Sequence, residues 1–193
     1  MIESSNFREI NEIEKEIILQ SLSKISPNLS QFIVKSKNIL YISLKQSNSK
    51  INYPNIYLSF NFLQEPIELI EFSDKIFSLG LYFGFIKKGN FYLSLEGAEY
   101  LYKRGILSNN KCIYISREGE RSILYGNNIL KNMISKISSN LEKGDFLLVF
   151  NEMNEILAIA QSKVENKKIK QLKSEDIIAY NLNDKGHYLR EKQ

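Results

Sequence analysis

The chain has 193 residues, 43% of them hydrophobic and 25% charged, with 9 Gly and 3 Pro. That is globular composition, and it excludes a disordered, collagenous or disulfide-stapled chain; the length suits one large domain or two of roughly 90–100 residues. Cys112 is the one cysteine, so no intrachain disulfide or multi-thiolate metal site is expected, and a reducing cytosol is the natural compartment. The start, Met-Ile-Glu-Ser-Ser-Asn-Phe-Arg-Glu, is acidic and lacks the apolar core of a secretory signal. The apolar stretch Phe146–Phe150 is far too short to span a bilayer. A soluble, intracellular protein with no membrane partner is expected.

The formal net charge of +4 is modest, and its placement says more than its size. Residues 1–105 hold 12 Lys and Arg against 11 Asp and Glu, whereas residues 106–193 hold 14 against 11. The excess concentrates between Lys163 and Lys173, where Lys163, Lys167, Lys168, Lys170 and Lys173 face Glu165 alone.

In chain order, Asn6 followed by Glu9 has the form of a capping box. Ile10, Ile13, Ile17, Ile18, Leu22 and Ile25 then recur at helical spacing until Pro27, which predicts an amphipathic helix with a solvated row of glutamates. Phe32-Ile33-Val34, Ile39 to Ile42 and Ile56 to Phe60 read as strands, with Ser-Asn-Ser-Lys at 47–50 as a turn. Pro66 to Phe77 reads as a short helix. Leu81 to Ile86 and Phe91 to Leu95 flank Lys-Lys-Gly-Asn as a hairpin. Its aromatic residues Tyr82, Phe83, Phe85, Phe91 and Tyr92 are expected to pack in the core, and any left exposed would mark a protein-partner surface. Glu96 to Arg104 is a helix closed by Gly105.

A boundary is expected at Gly105 to Asn110. Beyond it, Lys111–Ile115, Asn128–Lys131, Asp145–Phe150, Ile156–Gln161, Ile177–Tyr180 and His187–Arg190 read as strands, with Glu118–Leu124 as a short helix. Many short strands at close spacing predict a small barrel or pseudobarrel. The expected fold class is therefore α+β: residues 1–105 an antiparallel sheet with packed helices, and residues 111–193 a β pseudobarrel.

The chemistry is sparse. No phosphate-binding loop or GxSxG elbow is present. His187, the only histidine, has no companions at ligand spacing and reads as a surface or strand residue. Cys112 alternates within an apolar strand and reads as a buried thiol. Nothing assembles nucleophile, base and oxyanion donor, so no enzyme, metal or cofactor is expected.

Two stretches resemble the Nip-seven family of large-ribosomal-subunit biogenesis factors. Ser78-Leu79-Gly80-Leu81-Tyr82-Phe83-Gly84 is similar to that family's SLGTxFG segment. Glu118 to Lys131, with its Leu124-Tyr125-Gly126-Asn127 centre, is similar to GAExSFLYGNHVLKS, which opens the family's PUA domain. Gly186-His187-Tyr188-Leu189-Arg190 matches its closing Gly-x-Tyr-hydrophobic-Arg stretch. The motifs cover about residues 75–193; residues 1–74 match in layout only.

The resemblance implies a non-catalytic, monomeric RNA-binding assembly factor, cytoplasmic or, in a eukaryote, nuclear and nucleolar. Its PUA domain would hold single-stranded, uridine-rich pre-rRNA, and its first domain would contact assembly-factor or exosome proteins. The family's basic cluster Arg-Arg-x-Ile-Lys-x-Leu-Lys is matched by Lys167-Lys168-Ile169-Lys170-Gln171-Leu172-Lys173, one residue shorter. RNA binding is thereby carried onto Lys167, Lys168, Lys170 and Lys173. Ile169 and Leu172 would anchor the segment while the lysines project; a merely solvated loop is the plainer alternative. Arg121 would join them if its helix borders the groove, or would pair with Glu118 or Glu120. Tyr125 and Tyr188 are expected at the core or its rim.

The chain departs from the family pattern twice. Ala158 and Ala160 replace two glycines, so their methyl groups would block any close backbone approach by RNA. Lys-Lys replaces Arg-Arg, which removes bidentate phosphate clamping. The rival readings are a protein adaptor with incidental lysines and, more remotely, an RNA-modifying enzyme.

Overall fold

Asn11, not Asn6, caps the first helix. Its Oδ1 accepts the Glu14 backbone N–H at 2.9 Å, and Glu14 Oε2 accepts the Asn11 N–H at 2.9 Å, a reciprocal capping box. Helix α1 therefore runs Glu12–Ile25, and the Asn6 stretch instead forms strand β1, Ser5–Glu9. Sheet pairing decided between two similar capping signals: residues 5–9 lie in antiparallel register with 41–45. The helix stops before Pro27 as expected, but Pro27 then opens α2, Pro27–Lys35. A proline is well placed there because the first turn has no use for its missing N–H. Phe32-Ile33-Val34 is consequently helical rather than a strand. Leu29 and Ile33, four apart on one face, are buried, and that pairing outweighs β-branching.

The computed structural model describes residues 5–35, 39–45, 53–59, 80–107 and 111–190. The predicted helix Pro66–Phe77, the turn at 47–50 and the Ser78-Leu79 part of the first family motif lie outside the described residues. Two compact units divide the chain, Met1–Leu107 and Ser108–Gln193.

The first unit is a five-stranded sheet in the order β1-β2-β3-β4-β5, every neighbouring pair antiparallel. Strands β2 (Ile39–Lys45), β3 (Asn55–Ser59), β4 (Leu81–Lys87) and β5 (Asn90–Leu93) follow the sequence expectation closely. Helix α3, Leu95–Lys103, starts at Ser94, whose hydroxyl accepts the Gly97 N–H. Ile18, Leu22, Leu29, Ile42, Ile56, Leu58 and Phe83 are fully buried between sheet and helices. The Ser21 hydroxyl ties α1 to β5, accepting the Phe91 N–H at 2.9 Å while donating to the Ile17 carbonyl. Phe83 and Phe91 stack in this core, but Tyr92 lies outside it, 43% exposed and stacked on Phe85.

The second unit is a six-stranded sheet in the order β7-β11-β10-β9-β6-β8, bulged at several pairings and curled into a nearly closed pseudobarrel. Its strands are β6 (Cys112–Ile115), β7 (Ile129–Leu130), β8 (Ile134–Ile137), β9 (Phe146–Phe150), β10 (Ile156–Ser162) and β11 (Ile177–Asp184). Only β6 and β9 run parallel among the described pairs. Helix α4 (Arg117–Leu124) lies between β6 and β7, and the single turn α5 (Asn166–Ile169) follows β10. Ile113, Ile115, Ile123, Leu147, Val149 and Ile178 form the core. Cys112 is half-buried rather than buried, its Sγ 3.6 Å from the Ser138 hydroxyl.

His187–Arg190, expected as a strand, is a short helix, α6. The reason is a polar clamp around Asp184, which is buried at the end of β11. Its carboxylate accepts the Gly186 N–H at 2.9 Å and both guanidinium nitrogens of Arg190 at 2.9–3.0 Å. Arg190 also donates to the Leu124 carbonyl, and the Asn181 amide donates to the Ile123 and Asn127 carbonyls. The carbonyls left open at the C-terminal end of α4 are thus satisfied by β11 and α6. Gly126 (φ +85°) makes the turn that ends α4, and a Cβ at Gly186 would collide with the Leu124 carbonyl. The Leu-Tyr-Gly-Asn and Gly-x-Tyr-x-Arg motifs are therefore two halves of one structural device.

Replacing Asp184 with Ala strands the Gly186 N–H and takes from Arg190 its carboxylate partner, leaving the guanidinium only the Leu124 carbonyl. A loss of about 2 kcal/mol is expected in urea unfolding of the full chain.

Candidate nucleic-acid interface

Five lysines in eleven residues repel one another, so a fixed geometry needs anchors. Residues 163–176 have several. Val164, Ile169 and Leu172 pack against the core of the second unit. Asn166 holds the start of α5, its backbone N–H donating to the Leu141 carbonyl and its amide to the Ser139 carbonyl, each at 2.8 Å. At the far end the Asp176 carboxylate accepts the Lys173 N–H at 2.7 Å.

Lys131, on the 3-10 turn Lys131–Met133 after β7, supplies a further tether. Its ammonium donates to the Leu172 carbonyl at 2.6 Å and to the Lys170 carbonyl at 3.4 Å. Its backbone N–H donates to the Asp176 carbonyl, and that of Asn132 to the Ser174 carbonyl. No local pattern in the sequence marks this residue as part of the site, because its partners lie some forty residues away in the chain.

With the apolar side chains turned inward, Lys163, Lys167, Lys168, Lys170 and Lys173 are all exposed. Lys168 pairs with Glu165 at 2.9 Å. That hydrogen bond, with the charges of Lys168 and Lys167, holds the Glu165 carboxyl below the usual carboxylate range. At neutral pH the glutamate therefore stays ionised and offsets part of one lysine's charge. The segment is thus a solvated loop anchored to the unit by its apolar residues.

Arg121 is on α4 and not on the lysine segment. Its guanidinium lies 5.7 Å from the centre of the Tyr125 ring rather than forming the expected pair with Glu118 or Glu120. Tyr125 itself is 61% exposed, against the expectation of a core or rim position. The turn that Gly126 makes at the end of α4 carries the ring out of the core. Tyr188 lies on α6, and its side chain is outside the described residues.

The two alanines that replace family glycines do not face solvent. Ala158 and Ala160 are fully buried in the core of the second unit. Their methyl groups fill the barrel, so they obstruct nothing at its surface, contrary to the sequence expectation.

Among the described residues no group of three or more His, Cys, Asp and Glu is placed to hold a metal ion, and no helix is long and apolar enough to cross a membrane. The local chemistry is cationic and hydrogen-bonding: exposed ammonium groups on a braced loop, suited to phosphate oxygens.

Residues 111–193 match the model of the UPF0113 PUA domain. The chain is similar to the 60S ribosome subunit biogenesis protein NIP7 of Saccharomyces cerevisiae, at 26% identity over 188 residues, 96% of this chain and 97% of that protein. It is similar to the NIP7 homolog of Xenopus tropicalis at 26% identity over 118 residues, 61% of this chain and 63% of that protein. These NIP7 proteins are homologues of the chain. In solved structures it resembles a PUA-domain protein of Aeropyrum pernix (TM-score 0.65, 12% identity, 97% of this chain and 90% of that one). A conserved PUA-domain protein of Thermoplasma acidophilum is also similar (TM-score 0.57, 14% identity, 98% and 99% covered). At those identities the structures establish the fold.

Lys131→Met keeps the aliphatic stem and removes both carbonyl tethers. Hydrogen exchange at the Gln171 and Leu172 amides, which bond to the Lys168 and Ile169 carbonyls, is expected to speed up about tenfold. Protection in the core strand β9 should not change.

Proposed function

We propose that this homologue of the NIP7 proteins is a non-catalytic RNA-binding factor in large-ribosomal-subunit assembly. Residues 111–193 act as its PUA RNA-binding domain and residues 1–105 as its partner-binding domain. The observation that carries the reading is the braced lysine segment. Lys167, Lys168, Lys170 and Lys173 are exposed on a loop held by Ile169, Leu172 and Lys131. Ammonium groups held outward in this way contact phosphates without regard to sequence, as lysine does in general. The names of the relatives supply the process, 60S subunit biogenesis, and pre-rRNA is the RNA present in it.

Arg121 contributes less in this reading, because its guanidinium already lies over the Tyr125 ring. The protein works as a monomer, in the nucleus or cytoplasm where pre-ribosomes are found. An assembly factor or the exosome would dock on the first domain. Tyr92, exposed on the β4–β5 hairpin and stacked on Phe85, suits such a protein contact. This same exposed ring favours the second reading, a protein adaptor in which the lysines are incidental.

The two readings part on the salt dependence of binding to a uridine-rich single-stranded RNA. Replacing Lys167, Lys168, Lys170 and Lys173 together with Ala should weaken binding. It should also shrink the log–log salt slope by up to about 3, at about 0.7 per phosphate contact. An unchanged slope would move the RNA elsewhere on the chain. A wild-type protein that binds no RNA, yet holds a partner protein insensitively to salt, would favour the adaptor.

A further inference from the structure

Strand β11 carries its side chains the wrong way round for a half-buried strand. Beyond the buried pair Ile178 and Ala179, the sequence alternates as Tyr180-Asn181-Leu182-Asn183-Asp184. Alternation of this kind ordinarily sends the apolar residues inward. Here Asn181 and Asp184 are directed at α4 and α6, where they serve the clamp, while Tyr180 and Leu182 are 41% and 50% exposed. The β10–β11 register shifts between Asn181 and Asn183, so Leu182 is the bulged residue, and Tyr180, opposite Gln161, carries the ring on the outward face. Clamping α4 needs only the polar side chains; it does not account for an exposed aromatic ring on the other face.

The surroundings of Tyr180 are cationic. The Lys163 ammonium lies 6.0 Å from the centre of its ring. The Lys163 backbone N–H donates to the Ile178 carbonyl at 2.8 Å, so the first lysine of the segment is fixed two residues from Tyr180. Gln161, also exposed, is directly opposite Tyr180 in the β10–β11 pairing. One surface thus combines a flat ring, an amide edge and the start of the lysine row.

We propose that Tyr180 is a base-stacking platform for single-stranded RNA whose phosphates lie on the lysine segment. The proposal rests on the RNA-binding reading above and names what that reading leaves open, the feature by which unpaired strands are selected. A phosphodiester held at Lys163 leaves its base close to the ring, and Gln161 can hydrogen-bond a base edge. A duplex keeps its base faces inside its own stack and offers nothing to the ring, so the site takes unpaired RNA. Any base has a face to stack, so Tyr180 adds affinity for unpaired strands without fixing their sequence.

The chain contains no tryptophan, so Tyr180→Trp gives a single fluorescent reporter at the platform. The full-length variant would be titrated with a uridine-rich single-stranded RNA and with an abasic ribose-phosphate oligomer of equal length. Quenching by the base-bearing strand but not by the abasic one is expected. Tyr180→Ala should weaken single-strand binding about tenfold, the size of one lost base stack, with the salt slope unchanged because no phosphate contact is lost. Tyr180→Phe should bind as the wild type does. Equal quenching by both oligomers, or a Tyr180→Ala variant with wild-type affinity, would overturn the platform and leave the lysine reading standing. Failure of the wild type to bind either oligomer would overturn both.

Discussion

Bracing a row of like charges is the constraint on which the second unit depends. Five ammonium groups between residues 163 and 173 would spread a free loop apart. Burial of Val164, Ile169 and Leu172 against the barrel core opposes that repulsion. The bond from Lys131 to the Leu172 carbonyl opposes it too, and makes one lysine a brace for the others. The backbone from which the cations project is consequently set by the core, and under the proposed function a phosphate chain meets them without having to order the loop first.

The Asp184 clamp holds another part of the same unit. Helix α4 ends on carbonyls that accept from Arg190 and Asn181, and both donors also hold the buried Asp184 carboxylate. Because β11 uses Asn181 and Asp184 for this work, its outward face is free to carry Tyr180. A structural requirement at one edge of the strand thereby sets what the opposite face can offer a ligand. In the first unit the sheet offers a different surface, with Tyr92 stacked on Phe85 and exposed.

Much of this was legible in the sequence where the signal was local. Strands β2 to β5 and the β4–β5 hairpin announce themselves by alternation and turn residues, and Ile169 and Leu172 by their spacing among lysines. The failures share one cause, a long-range contact overriding a local pattern. Asn6 and Asn11 both precede a glutamate by three residues, and only pairing with β2 separates them. Phe32-Ile33-Val34 has strand composition, but Leu29 and Ile33 bury one helical face. His187–Arg190 is helical because Asp184 holds Gly186 and Arg190. Lys131 braces carbonyls forty residues away, which no spacing rule reveals. The apolar–polar alternation of residues 180–184 was open to view, but not the bulge at Leu182 that breaks it.

The most direct test of the central claim, that the braced lysine segment is where RNA binds, is an NMR titration of the uniformly 15N-labelled full chain with a uridine-rich single-stranded RNA. The account predicts that the largest amide shifts fall within residues 163–173 and spread to Tyr180 and Leu182. It predicts that the strands of the first unit stay still. Shifts concentrated in the first unit, or on α4 around Arg121 with the lysine segment unmoved, would contradict it.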